Sequence, residues 1–475
     1  MPEDYDAIIV GSGSNGLAAA IHLQQKGLRT AVYEQASEPG GATRTEQLTL
    51  PGYQHDVGSA ILPMGVASPF FRDLPLNNYG LKWIYPDIPY AHPLKDGTGV
   101  ACYKDLDKTA DQLGKDRDSY LKIFQPLVNN WDKIDKDLLG PLGIPENPID
   151  FLKFGLKALP SAKMLVNHFF KNERSKIFFY GSAAHSTLPL TNLASASFGL
   201  VLTTMAHRYG WPFPEGGAKN FTNSLVSFYK SLGGELYLNV LVKHVEELPR
   251  AKAYLFDVTP KQLLKIKGTN FPSLYRKRMA SYKYGAGVFK MDWALSEPIP
   301  FTSAECRRSG TVHIGFSCEE IEESEGHIHH KKMTDTPYVL VAQHSIFDPT
   351  RAPVGKHTAW AYCHVPNGSI KDFSQIIENQ IERAAPGFKD TILARSTMNT
   401  VQLQQWNPNL IGGDINGGRQ DITQLFTRPI ISISPYSTPD PKIYICSSST
   451  PPGGGVHGMC GYNAAKAVLK DHFNG

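Results

Sequence analysis

The sequence predicts an α/β fold built on a Rossmann-type unit, with an α+β portion further along the chain. Two local patterns and the composition predict it. Residues 6–34 read as strand, glycine loop, helix, second strand and terminal acid. Residues 442–458 bring a strand and a glycine loop again at the far end. Of 475 residues, 41% are hydrophobic and 19% charged, the profile of a globular chain that buries a large core without disulfides or structural metals.

Ala7-Ile8-Ile9-Val10 is an apolar run bounded by Asp6 and Gly11, as in a parallel strand buried on both faces. It runs into Gly11-Ser12-Gly13-Ser14-Asn15-Gly16. Gly11 permits the tight turn, Gly13 lets the backbone approach a pyrophosphate, and Gly16 lets helix and strand pack closely. Leu17, Ala18, Ala19, Ala20, Ile21 and Leu23 then carry a helix that stops at Gly27, its first N–H groups free for a phosphate. Thr30-Ala31-Val32-Tyr33 is the second strand and ends at Glu34, an acceptor for a ribose hydroxyl. Pro39-Gly40-Gly41-Ala42-Thr43-Arg44-Thr45 follows, a second stretch where backbone can lie close to a ligand, with an arginine for phosphate or flavin.

At the far end, Lys442-Ile443-Tyr444-Ile445-Cys446 leads into Pro451-Pro452-Gly453-Gly454-Gly455-Val456-His457-Gly458. Too few residues follow Gly458 for a crossover and its strand, so this is not a second Rossmann unit. It reads as a helix N-terminus aimed at something anionic. Reduced flavin is negative at its pyrimidine end, which makes FAD rather than NAD the expected dinucleotide.

Composition narrows the remaining classes. Lys+Arg 48 against Asp+Glu 44 gives +4, too balanced for nucleic-acid binding as the main task. Six cysteines lie scattered with no CxxC, which fits a reducing compartment and argues against thiol redox chemistry. The chain starts almost at once with a strand, so no signal peptide is expected. The apolar stretch Leu193 to Ala206 is too short and too interrupted to span a bilayer. The expectation is a cytoplasmic enzyme, at most peripheral at a membrane surface.

Further motifs carry a resemblance. They are Gly41-Ala42-Thr43-Arg44-Thr45-Glu46, Gly52 to Ser59, Trp211 to Gly217, Tyr284 to Trp293, Ala385-Pro386-Gly387-Phe388, Gly412-Gly413-Asp414-Ile415 and Pro452 to Gly458. With the N-terminal fingerprint, the chain resembles the FAD-dependent phytoene desaturase and carotenoid isomerase family, within the amine-oxidase-like flavoproteins. Within that family it resembles the branch named for pyridine nucleotide-disulfide oxidoreductase domains. The resemblance implies a discontinuous FAD-binding domain with an inserted substrate domain. The expected boundaries are 1–67, 213–265 and 405–475 for the first and 68–212 and 266–404 for the second. It implies Glu34 on the adenosine ribose, Arg44 near the pyrophosphate or flavin, and Val242 beside the adenine, within the extended stretch Glu235 to Val242. Gly58, Ser59, Gly216, Gly217, Val456 and His457 are expected around the flavin ring. The cofactor-binding set is thus Gly11, Ser12, Gly13, Asn15, Gly16, Glu34, Gly41, Ala42, Thr43, Arg44, Gly58, Ser59, Val242, Gly455, Val456 and His457. One departure is that Glu246 to Lys252 runs almost directly into the strand Ala253 to Asp257, so a small family hairpin is shortened or lost. Without paired cysteines, disulfide reduction is excluded.

On the substrate side, a helical part is expected at about 100–210 and a sheet part at about 280–365. Thr311 to Phe316 alternates with the strand period, Pro337 to Ala342 is a continuous apolar run, and His357 to Tyr362 is rich in strand formers. Pro148 to Lys171 is split by Pro160 into two short helical pieces, with Lys153, Lys157, Lys163 and Lys171 interleaved among apolar residues. It reads as a lid or packing pair, or as a basic amphipathic surface for anionic lipid. His327, His329 and His330 in a Glu-rich stretch read as a solvated loop rather than a metal site. His185, His207, His344 and Asp414 are acid–base candidates, but none is assigned a catalytic role. The expected function is FAD-dependent oxidation of an apolar, isoprenoid or polyene substrate by hydride transfer to flavin, with no motif for the electron acceptor. The alternatives are a redox-neutral flavin isomerase, an amine oxidase, or a flavoprotein with mainly a binding role.

Overall fold

The computed structural model describes residues 4–473. Two sheets organise it. The first is five-stranded, in the spatial order 443–445, 251–256, 5–10, 30–33, 235–237, with every pairing parallel. Tyr5–Val10 is central and alternates between two cores. Ala7 and Ile9 pack with the helix side, while Ile8 and Val10 pack with Leu263, Ile266 and Tyr275. That two-sided burial explains the unbroken apolar run.

The opening helix, Ser14–Gln25, and the closing helix, Met459–His472, lie against each other. Their backbones come so close that a β-carbon on Gly461 would collide with the Asn15 carbonyl. The two ends of the chain therefore form one structural unit.

The second sheet is seven-stranded, in the order 392–398, 287–295, 357–365, 339–342, 309–314, 88–93, 99–102. All neighbours are antiparallel except 309–314 with 88–93. One face packs on helix Ser374–Ala384 through Ile377 and Ile381. The other face turns toward helices Arg117–Asn130, Glu173–Ala183 and Ser195–Arg208. The sheet is wider than the expected 280–365. Ile88–Pro93 holds two prolines, which hides its strand character, and Ile392–Met398 is a half-exposed edge.

Pro160 does separate two helices, Pro148–Ala158 and Ala162–Phe169. The Glu-rich histidine stretch is not a solvated loop: Cys318–His329 is a helix. Ser317 caps it by accepting from Glu320 N–H, and Ile321, Ser324, Glu325 and Ile328 form its buried face. That spacing is a helical stripe, masked in the sequence by the charges around it. No cluster among the described residues has the makings of a metal site.

Candidate active site

A cavity of about 590 Å³ runs from the first sheet to the second. At one end its wall is main chain. Gly11 has a φ of 104°, turning the chain out of the first strand. A β-carbon on Gly16 would strike the Gly11 carbonyl, and one on Gly13 would lie 2.5 Å from Asp257 Oδ2. Asp257 in turn accepts the Gly16 N–H at 3.0 Å. The Gly13 requirement thus comes partly from this carboxylate, at the end of strand Ala251–Phe256. Burial, with Glu34 nearby, pushes the Asp257 carboxyl up to about 7.

Glu34 sits on the cavity wall at the end of its strand. Its Oε2 accepts from Ser12 N–H at 2.9 Å and Ser12 Oγ–H at 2.7 Å, and its Oε1 from Ala36 N–H at 2.9 Å. Ser12 is fully buried behind the wall and fixes the acid rather than facing the cavity. The second glycine loop is locked by Ser59 N–H donating to Ala42 O at 2.9 Å and Val57 N–H to Arg44 O at 3.0 Å. Arg44 lies with its guanidinium 4.2 Å from the Trp406 ring and donates to Gly41 O at 3.2 Å. The chain from Val240 to Lys243 closes another side. Only Glu235–Tyr237 of the expected extended stretch is ladder-paired, because Asn239 turns at φ 60° and Val240 N–H donates to Glu34 O. The hairpin is indeed absent there: Val245–Glu247 is a single 3₁₀ turn.

From the expected cofactor set, Gly11, Gly13, Asn15, Glu34, Gly41, Ala42, Thr43, Arg44, Gly58, Ser59, Val242, Gly455 and Val456 line the cavity. Ser12, Gly16 and His457 stand behind the wall. His457 is fully buried, and both ring nitrogens are engaged. Its Nδ1 accepts from Met459 N–H at 3.0 Å, and Nε2 lies 3.2 Å from Gly453 O. Burial holds this imidazole down to about 4, so it is neutral and caps the closing helix. Gly216 and Gly217 are also off the wall; Gly216 N–H donates to Asp348 at 2.7 Å.

The other end of the cavity is built of side chains. Successive outward residues of the seven-stranded sheet supply Val288, Lys290, Trp360, Tyr362, Leu340 and Thr311. Leu202, Trp211, Leu403 and Trp406 face them. Lys290 is ion-paired with Asp292; burial lowers the amine and raises the acid, the latter to about 6. The sequence reading missed Asp257, Lys290 and the aromatic pair, although period-two spacing of Trp360 and Tyr362 carried a signal. Among the acid–base candidates, His185 lines the cavity. His207 is buried against Tyr120 Oη at 2.6 Å, His344 lies 3.2 Å from Ala60 O, and Asp414 binds Gly285 N–H and Asn416 N–H.

The glycine cradle, the acid at the end of the second strand and a wall lined from both ends of the chain fit a dinucleotide with a ring system at its far end. The NAD(P)-binding Rossmann-like domain family matches residues 9–74. The chain is 24% identical to rat pyridine nucleotide-disulfide oxidoreductase domain-containing protein 2, covering 99% of this chain and 94% of that protein. It is 21% identical to a lycopene-forming phytoene desaturase of Paracoccus, over 99% of this chain and 97% of that enzyme. The structure of putrescine oxidase bound to putrescine superposes with a TM-score of 0.63 at 16% identity, over 98% of this chain and 99% of that one. The chain is an FAD-dependent oxidoreductase with an amine-oxidase-like fold. All six cysteines are buried, and none is paired in a disulfide. No helix among the described residues is long and apolar enough to cross a membrane.

Proposed function

We propose that the enzyme dehydrogenates an apolar, isoprenoid-like or polyene substrate, as the likeness to a phytoene desaturase suggests. The observation that carries this reading is the substrate end of the cavity, where Leu202, Trp211, Leu340, Trp360, Tyr362 and Leu403 leave Lys290 as the cationic side chain, already paired with Asp292. Such a wall has no free carboxylate to hold a substrate ammonium, which counts against simple amines. Bound FAD supplies the two-electron acceptor. The chain's residues do the rest. Glycine backbone and Glu34 hold the dinucleotide, the aromatic wall orients the substrate, and closure by both chain ends excludes water. Anaerobic mixing of holoenzyme with a panel of terpenes, polyenes and simple amines tests it. Flavin bleaching by polyenes or terpenes alone supports the reading, and bleaching by amines overturns it. Polyene isomerisation without bleaching would mark a redox-neutral isomerase, and no response at all a binding role.

A membrane contact is a second element of the proposal. Ile149, Leu152, Leu156 and Met164 are 70%, 62%, 67% and 59% exposed, a cluster across the two helices split by Pro160, and Ile144, just before the first of them, is 94% exposed. Lys153 and Lys157 flank it, whereas Lys163 is tied to Glu322 at 2.8 Å. Isolated exposed apolar residues are ordinary, but a cluster rimmed by lysine suits anionic lipid. Cosedimentation with phosphatidylserine vesicles should fall when Ile149 and Leu152 become Glu, and unchanged binding removes this element.

A further inference from the structure

The cavity opens to solvent beside Glu34. Gln35, Leu241, Lys243 and Lys265 line it and are exposed, whereas Lys290, Trp360 and Tyr362 at its far end are buried. Asn239 N–H donates to Ala36 O at 3.0 Å and Val240 N–H to Glu34 O at 2.8 Å, which holds one side of the opening against the strand end. Past that side comes only the Val245–Glu247 turn, so no hairpin roofs the mouth.

The rim of this mouth is cationic. Residues 243–283 hold ten Lys and Arg against three Asp and Glu, a surplus of seven in a chain whose whole surplus is four. Hydrogen bonds gather these cations around the opening. Val245 N–H donates to Lys267 O at 3.0 Å and Lys267 N–H to Lys243 O at 2.9 Å, which seats Lys243 beside Lys267. Lys261 and Lys265 lie four residues apart at the short helix Pro260–Leu263, and Arg276 reaches over to Leu264 O at 3.0 Å. The acids are mostly occupied elsewhere. Asp257 faces the glycine loop, Glu247 accepts the Lys243 and His244 N–H groups, and Glu246 lies 3.8 Å from His244. Lys252 pairs with Asp6. Lys261, Lys265, Lys267 and Arg276 are exposed and form no ion pair among the described residues.

We infer that this rim is the loading surface for FAD. The dinucleotide enters with its ring leading, is drawn in through its pyrophosphate, and comes to rest with the adenosine at the mouth. The inference rests on FAD as the cofactor and not on the identity of the substrate. The pyrophosphate carries two negative charges, and the mouth presents like charges that have no partner of their own. A cleft edged by one sign of charge focuses the field and speeds capture of an oppositely charged ligand by about tenfold or more. Lys243 and Lys265 stand on the wall itself, whereas Lys261 and Lys267 act from outside it. Steering of this kind raises the association rate and leaves dissociation nearly unchanged, because the outer lysines make no contact in the loaded state.

The test is stopped-flow quenching of flavin fluorescence as full-length apoprotein takes up FAD, at salt from about 20 mM to about 500 mM. The association rate should fall about tenfold or more across that range. Lys261→Glu with Lys267→Glu should slow uptake about tenfold at low salt, match the unmodified protein at high salt, and keep the dissociation rate within about twofold. Lys371→Glu with Lys389→Glu makes the same change in net charge beside helix Ser374–Ala384, behind the second sheet, and should leave uptake within about twofold. A rate indifferent to salt, or both pairs slowed alike, overturns the inference. FAD carrying a bulky group on the adenine amine should bind within a few-fold of FAD, and its refusal overturns the direction of entry. Loss of phosphatidylserine vesicle binding in the Lys261–Lys267 variant, with FAD uptake unchanged, overturns the inference and gives the rim to lipid. Protein that carries flavin when isolated but takes up none once stripped overturns loading through this mouth. Protein that holds no flavin however it is prepared instead fails the cofactor assignment itself.

Discussion

The two ends of the cavity are made of different material. The cofactor end is backbone, shaped by positions where no β-carbon fits. The substrate end is side chain, projected from alternate residues of a sheet. Backbone cradles tolerate almost no substitution but accept any ligand with the right phosphates and ribose. Side-chain walls tolerate exchange and set which substrate fits. The largest effects should therefore come from glycines at the first end and the smallest from ring substituents at the second.

Gly16→Ala should be the most damaging. Its β-carbon would meet the Gly11 carbonyl, and both partners are backbone at the junction of strand and helix. Loss of bound flavin and destabilisation of about 3 kcal/mol or more are expected, read from the flavin-to-protein ratio and a urea midpoint. Normal flavin content would refute the backbone account of this end.

Next comes the seam between the two ends. Arg351 is fully buried and donates to Asp56 at 2.9 Å and to Asp348 at 3.0 Å, joining the 55–56 strand to the substrate side. Asp56 also accepts the Ala218 N–H at 2.8 Å. Arg351→Met strands two buried carboxylates and should cost about 3–5 kcal/mol, seen as a lower melting temperature. A change below about 1 kcal/mol would mean the ends are held together by packing alone.

The same contrast decides what the sequence makes legible. Gly11, Gly13, Gly16 and Glu34 have fixed spacing because backbone geometry has few solutions, so that end is readable. Ser12 and His457 belong to the same motifs, yet the sequence does not say that one faces Glu34 and the other caps a helix. Trp360, Tyr362, Leu340 and His185 are scattered over separate elements. The register of strands 339–342 and 357–365 sets Leu340 beside Tyr362, while His185 comes from the turn after helix Glu173–Ala183, and no local pattern encodes such meetings of distant segments. The helix Cys318–His329 was hidden differently, by charges surrounding a correct helical stripe.

Glu34 and Asp257 give intermediate effects of opposite kind. Glu34→Gln keeps the shape but loses the charge that strengthens its hydrogen bonds, and FAD affinity should fall about tenfold in a titration. Asp257 holds its proton up to about pH 7 when folded, against about 4 when unfolded. The folded state therefore binds the proton more tightly, and this group's contribution is lost as pH rises from about 4 to about 7. Asp257→Asn should flatten that part of the stability profile, measured as urea midpoints at several pH values. A slope equal to that of the unmodified protein would show that Asp257 does not titrate there.

The smallest effect, and the sharpest on substrate, should be Tyr362→Phe. The Tyr362 side chain lies on the cavity wall, its ring packs edge-on to Trp360 at 5.2 Å, and its hydroxyl makes no protein hydrogen bond. Removing that oxygen leaves the ring contacts in place, so stability should change by less than about 1 kcal/mol. FAD affinity should stay within about twofold, since the cradle lies at the other end. An apolar substrate has nothing to offer the hydroxyl, so its binding should be unchanged or slightly tighter. A substrate that carries an oxygen or nitrogen against Tyr362 would instead lose about 1 kcal/mol or more, roughly fivefold in affinity. Binding of a polyene measured by flavin spectral shift in both proteins separates these outcomes, and weakened binding would show that the substrate wall reads a polar group after all.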